Sequence, residues 1–175
     1  MVKDSLQSSH PINFKVNNPS EIGGLFDGIS YDKGSSIIRM MNAFLTEKTF
    51  RKGVTNYLKK YKYGNAIQDN LWQELTLSAH HDQTLNSDLT VKQIMDTWTL
   101  KKGYPVVHVK RNFNTLHINQ RWFLLNPLNK IEKTRKYLRT KWFVPITFTT
   151  DREKDFKFEK KPIWLRPHNN HCNLT

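Results

Sequence analysis

Hydrophobic positions recur with a helical period through the first hundred residues and then switch to alternation. Ile37, Ile38, Met41, Phe44 and Leu45 fall at i, i+1, i+4, i+7 and i+8, the spacing of one apolar face on a helix. Thr46 starts a second helix, with Phe50, Val54, Tyr57, Leu58 and Tyr61 on one stripe. Leu71, Trp72 and Leu75 mark a third, running towards His80. Thr90 followed three residues later by Gln93 reads as a capping box and opens a fourth helix. Its inner face is Val91, Ile94, Met95 and Trp98. These stripes are read as core, because any packed helix shows one.

At Lys101-Lys102-Gly103 the period changes. Gly103 has the place of a residue just past a helix C-terminus. Beyond it Val107 and Val109 share one side, and Leu116, Ile118, Trp122 and Leu124 follow with period two. Trp142, Val144, Ile146 and Phe148 do the same. Period two predicts half-buried strands, and Pro145 within the last run argues for an edge. The fold class expected is therefore α+β, with a boundary near residue 103. Residues 1–103 are helical and residues 104–175 form a small antiparallel, sandwich-like domain.

The first nineteen residues are extended and turn-like, restricted by Pro11 and Pro19. Ser20 is expected to cap a short helix through Phe26. Gly28 is expected to let the backbone turn, and Ser30 to cap the helix that follows.

Composition agrees with a packed protein: 37% of residues are hydrophobic and 12% aromatic. No apolar run is long enough to span a bilayer, and no signal-peptide core follows Met1. The single cysteine, Cys172, excludes an internal disulfide. The formal charge of +13 divides into +3 for residues 1–103 and +10 for 104–175. Its densest part is Lys130 to Lys141, with Lys130, Lys133, Arg135, Lys136, Arg139 and Lys141 against Glu132. Such a run can attract nucleic acid. Only Tyr137 is interleaved as an aromatic, so a solvated loop is the expectation and no specific nucleic-acid partner is assigned.

Metal chemistry finds little support in the spacing. A zinc peptidase needs two histidines one helical turn apart, with a glutamate as general base. None of the seven histidines (His10, His80, His81, His108, His117, His168, His171) stands in that pattern. His168 to Cys172 brings ligand types close together, but in a polar tail. His80 and His81 are adjacent and point apart on a helix. No metal ligand is therefore assigned. Ser8-Ser9-His10 lacks the geometry of a nucleophile and its base, since adjacency in sequence does not supply it.

Several phrases nevertheless occur in a specific order. They are Ser8-Ser9-His10-Pro11-Ile12, Ile29-Ser30-Tyr31-Asp32-Lys33-Gly34, Phe50-Arg51-Lys52-Gly53, Asn70-Leu71-Trp72, Met95-Asp96-Thr97-Trp98-Thr99, Lys102-Gly103-Tyr104-Pro105-Val106 and Trp142-Phe143-Val144-Pro145-Ile146. In this order they resemble the zinc aminopeptidases of the aminopeptidase N family, the gluzincin metallopeptidases. The resemblance covers nearly the whole chain.

The resemblance implies that residues 1–103 are the C-terminal helical part of a thermolysin-like catalytic domain and that 104–175 belong to an incomplete β-sandwich domain. It implies a hydrolase that removes N-terminal residues from peptides, with zinc as the cofactor of the full-length enzyme and peptides as partners. Tyr31 is the one catalytic residue it assigns here. A tyrosine O–H aimed at the carbonyl oxygen donates a hydrogen bond that strengthens as charge develops there. The zinc helix, the general base and the Gly-x-Met-Glu-Asn motif are absent from the sequence. The expectation is thus a fragment that is inactive alone and exposes an unpaired edge at Trp142–Phe148. Family members include membrane-anchored ectoenzymes and intracellular enzymes, so localisation stays open. The rival readings are a non-catalytic interaction module and a basic nucleic-acid-binding domain.

Overall fold

A computed structural model of the chain describes residues 2–113, 115–125, 139–154, 161–168 and 171–174. Among the described residues, 3-10 turns at Lys3–Ser5 and Pro19–Leu25 and a π-helix at Ile29–Lys33 precede four α-helices, α1 (Gly34–Leu45), α2 (Glu47–Lys60), α3 (Gln68–His81) and α4 (Val91–Thr99). Among the same residues five strands follow: β1 (Pro105–Asn112), β2 (Thr115–Trp122), β3 (Val144–Ile146), β4 (Ile163–Leu165) and β5 (His171–Leu174). The order is α+β, with helix before Gly103 and strand after it. Two compact units result, one of Met1–Ser35, Thr97–Val144 and Trp164–Thr175, the other of Ser36–Asp96 and Pro145–Ile163.

In the second unit the expected caps and stripes are largely present. The Thr90 hydroxyl accepts from the Gln93 N–H at 3.1 Å, and the Gln93 side chain accepts from the Thr90 N–H at 2.9 Å. This reciprocal pair satisfies donors that a helix start otherwise leaves open. Val91, Ile94 and Met95 are fully buried behind it. Ile37, Met41, Phe44 and Leu45 of α1 are buried as well, but Ile38, counted on the same stripe, is half exposed.

Helix α2 departs from its pattern. Its buried residues are Thr49 and Gly53, while Phe50, Val54, Tyr57 and Tyr61 are only half-buried and Leu58 is exposed. The reason is a close approach. A Cβ placed on Gly53 would lie 2.7 Å from Leu75 Cδ2 and 3.0 Å from Leu75 Cα of α3. The contact line between the helices therefore runs through the smallest residue, and the bulky apolar side chains flank it.

A polar clamp closes the far end of the same pair. Asp82, just past α3, accepts from Lys52 Nζ at 2.6 Å and from the Thr49 hydroxyl at 3.1 Å. Lys52, then His81 and Thr49, hold the Asp82 carboxyl well below the usual carboxylate range.

In the first unit β1, β2 and β5 form an antiparallel sheet with β2 in the middle. Val109 faces Ile118 across the β1–β2 pair. Ile118 and Trp122 are buried, whereas Val109, on the edge strand β1, is exposed rather than half-buried. The inward row of β2 also carries Gln120, which is 1% exposed. Its amide donates to the Trp142 carbonyl at 2.8 Å and accepts from the Trp142 N–H at 2.9 Å. Phe143 is held similarly: its N–H donates to the Thr97 hydroxyl at 3.1 Å, and its carbonyl accepts from the Trp98 indole at 2.8 Å. Side chains thus take backbone groups that a longer strand would have offered to a neighbour. These bonds account for the run predicted over 142–148 pairing as a strand only from Val144; it spans Val144–Ile146, paired with β4, and Trp142 is fully buried while Phe148 is exposed as expected.

Two outcomes follow for the α2–α3 pair. Gly53→Ala adds helix propensity of about 1 kcal/mol but forces Leu75 and its backbone aside, which costs about 1–3 kcal/mol. A lower urea midpoint is expected, because the added methyl meets backbone. For Asp82, a depressed carboxyl contributes stability that is present above its ordinary value of 3.8 and lost as pH falls through the folded value. Melting of Asp82→Asn between about pH 6 and about pH 3 should therefore show a smaller acid-induced drop than the parent chain.

Candidate functional site

Tyr31 sits on a turn built by Asp27. One oxygen of the Asp27 carboxylate accepts from the N–H groups of Ile29 (2.9 Å) and Ser30 (3.0 Å). The Asp27 carbonyl accepts from the Tyr31 N–H at 3.0 Å. Asp27, rather than Ser30, therefore takes the capping role. The glycine is not needed for its backbone freedom either, since Gly28 has φ −64° and ψ −17°, a conformation open to any residue. Its use is space: a Cβ there would lie 3.0 Å from an Asp32 carboxylate oxygen. Residues Ile29–Lys33 wind as a π-helix that leads directly into α1, a local widening that the spacing of apolar residues does not reveal. The Tyr31 ring is 62% exposed, and among the described residues nothing takes its hydroxyl.

The other end of this turn is anchored by Lys33. Its ammonium lies 3.0 Å from Asp4 and donates to the carbonyls of Lys101 (3.1 Å) and Gly103 (2.9 Å). Asp4 is 4% exposed and also accepts from the Ser9 hydroxyl at 2.6 Å and the Gly103 N–H at 2.8 Å. Burial pushes the Lys33 ammonium down, and Asp4 opposes that shift. Gly103 has φ +79°, and a Cβ on it would overlap the Trp122 indole. Only glycine fits there, both in conformation and in space. The sequence marked Gly103 as a residue just past a helix end, but α4 stops at Thr99 and Gly103 serves the packing against Trp122 instead; Asp4 and Lys33 were missed because nothing in local spacing pairs residues so far apart.

The remaining candidates disperse. The Ser9 hydroxyl is bonded to Asp4, while the His10 ring contacts the Pro11 carbonyl (2.7 Å) and Asp27 (3.1 Å). His80 reaches the Leu89 carbonyl at 2.8 Å and His81 reaches Asp82 at 2.8 Å, so the two rings diverge as adjacency predicts. Of the basic run, only Arg139, Thr140 and Lys141 lie within the described residues; Lys130, Lys133, Arg135 and Lys136 lie outside them.

Comparison with known proteins gives this geometry its context. Residues 1–98 match the model of the peptidase family M1 domain. The chain belongs to peptidase family M1. It is 41% identical to the aminopeptidase N of Canis lupus familiaris over 150 residues, which is 84% of this chain and 15% of that protein. It is 42% identical to the glutamyl aminopeptidase of Bos taurus over 151 residues, 86% of this chain and 15% of that protein. The endoplasmic reticulum aminopeptidase 2 of Bos taurus is 36% identical over 171 residues, 85% of this chain and 18% of that protein. The M1 chain thus spans less than a fifth of the length of these relatives.

Zinc is the metal of the family in general. Among the described residues no group of three histidine, cysteine, aspartate or glutamate side chains could hold a metal ion. Among the same residues no helix is long and apolar enough to cross a membrane.

The buried pair yields a stability prediction. Lys33→Met strands the Asp4 charge in the interior and should cost about 3–5 kcal/mol. Asp4→Asn with Lys33→Met leaves acceptors for Ser9 and Gly103 and no buried charge, so the double variant should recover much of that loss. Urea titration of both variants measures the difference.

Proposed function

We propose that this segment supplies the transition-state tyrosine of an aminopeptidase, with Tyr31 as the group that stabilises the oxyanion. The substrate class is peptides with a free N-terminal residue. When a water attacks the first peptide bond, negative charge gathers on the carbonyl oxygen. A phenolic O–H in reach of that oxygen binds it more tightly in the transition state than in the ground state, which lowers the barrier. In this reading residues 1–103 are the helical end of a thermolysin-like catalytic domain, and 104–175 belong to a β-sandwich domain.

The observation that carries the proposal is an exposed tyrosine with no partner for its hydroxyl among the described residues, on a backbone fixed at both ends. A tyrosine kept for packing buries its ring and pairs its O–H. Tyr31 does neither, while the turn beneath it is tied by the Lys33–Asp4 ion pair and the His10–Asp27 contact. Ordering an exposed side chain's backbone this firmly is useful when the side chain must meet a reacting atom.

The test uses a chimera in which this chain replaces the matching segment of the dog aminopeptidase N. Tyr31→Phe keeps the ring and removes the hydroxyl. The expected result is a kcat lower by about 10²–10³-fold, or about 3–4 kcal/mol, with KM and melting temperature little changed. Unchanged kcat with altered melting would assign Tyr31 a packing role and overturn the proposal.

A further inference from the structure

Neither ring nitrogen of His10 has an ordinary choice of role. Nδ1 lies 2.7 Å from the Pro11 carbonyl oxygen, and Nε2 lies 3.1 Å from the second oxygen of Asp27. A carbonyl only accepts hydrogen bonds, and so does an ionised carboxylate. Asp27 is ionised: the Ser30 N–H, with His10 and the Ile29 N–H, holds its carboxyl below the ordinary value despite some desolvation. The two contacts can be hydrogen bonds at the same time only if both imidazole nitrogens donate, as they do in the doubly protonated ring. A neutral ring keeps one contact and turns a lone pair towards the acceptor at the other.

The position of this contact gives it a use. Asp27 is the residue on which the Tyr31 turn is built, through the N–H groups of Ile29 and Ser30 and through its own carbonyl to Tyr31. His10 reaches it from 17 residues earlier in the chain and packs edge-on against Phe14, ring centroids 5.1 Å apart. Asp27 is thus held by backbone donors on one oxygen and by the His10 ring on the other. Other charged groups near the turn, among the described residues, include Asp32, beside Gly28, Lys3, whose chain also approaches Gly28, and the Lys33–Asp4 pair at its other end.

We propose that His10 and Asp27 form a charge-dependent clasp that positions Tyr31, closed when His10 is cationic and loosened when it is neutral. As a statement about positioning for catalysis it rests on the reading of Tyr31 given above; as a statement about the turn it does not. His10 and Asp27 are positioning residues in this scheme, since neither is argued to touch the substrate.

The decisive variant is Asp27→Asn. Its carboxamide oxygen can still accept from Ile29 and Ser30, but the NH₂ that replaces the second oxygen is a donor. It fits a neutral His10, whose Nε2 accepts while Nδ1–H stays on the Pro11 carbonyl. The pH dependence of the clasp should therefore invert. The full chain would be labelled with ¹⁵N, and the His10 ring signals and Tyr31 amide exchange followed from about pH 5 to about pH 8, corrected for intrinsic exchange.

In the parent chain Tyr31 protection should fall about three- to tenfold as His10 loses its proton. In Asp27→Asn protection should instead rise over the same transition, and in His10→Gln it should be independent of pH. Global melting checks that each variant is folded, and residues far from the turn serve as the internal reference. A parent chain whose Tyr31 protection does not follow His10, or an Asp27→Asn variant with the same direction of change, overturns the clasp.

In the chimera, His10→Gln should lower kcat on the acidic side of the pH profile with KM unchanged. A clasp seen by exchange together with a kcat profile indifferent to His10 would remove the positioning role. Loss of turnover in Tyr31→Phe, by contrast, tests the catalytic reading alone, so the two ideas can fail separately.

Discussion

The first unit is organised around one buried charge. Asp4, near the start of the chain, is removed from water and compensated by three donors: the Ser9 hydroxyl, the Gly103 N–H and the Lys33 ammonium. Removing both charges of an ion pair from water is costly, and the attraction between them repays it only when the remaining lone pairs and protons are also satisfied. Here they are, because Lys33 donates in addition to two carbonyls of the segment leading into β1. The contact joins three stretches of chain that lie far apart in sequence. A hydrophobic patch could bring them together, but would not fix their register. The polar cluster does so because Lys33 reaches Asp4 and both carbonyls only in one arrangement of the three stretches.

This constraint explains why the tyrosine turn can be irregular. A π-helix wastes hydrogen-bond geometry compared with an α-helix and persists where the surroundings hold it. Residues 29–33 are held at both ends, by Asp27 before them and by Lys33 within them. The side chain that emerges between these anchors is exposed, while the backbone that carries it is not free to wander.

The helices were legible in the sequence because their signals are local. Thr90 and Gln93 are three residues apart, and a capping box needs nothing else; Val91, Ile94 and Met95 follow with the period of the helix they form. Alternation from Tyr104 onwards likewise announced β2. What was not legible depends on residues distant in sequence or on size rather than polarity. Gly53 is the inner face of α2 because Leu75 approaches it, a fact about another helix. Gln120 occupies an inward strand position where the pattern led one to look only for apolar residues. Tyr31 was singled out by resemblance and by its chemistry, but the acids and bases that hold its turn, Asp4, Asp27, His10 and Lys33, are indistinguishable from surface charges until the chain is folded.

The grip of Gln120 on Trp142 bears on how the protein behaves in a crowded solution. A stretch of chain with free N–H and C=O groups is a template on which another molecule can lay down a strand. At Trp142 both groups are already engaged by a side-chain amide, which acts as a miniature strand one residue long. Trp142 is therefore paired as well as buried, amid a sequence rich in the aromatic and β-branched residues that favour strand pairing. The glutamine thus completes the hydrogen bonding of one buried residue from within, so that Trp142 can leave water without a strand beside it.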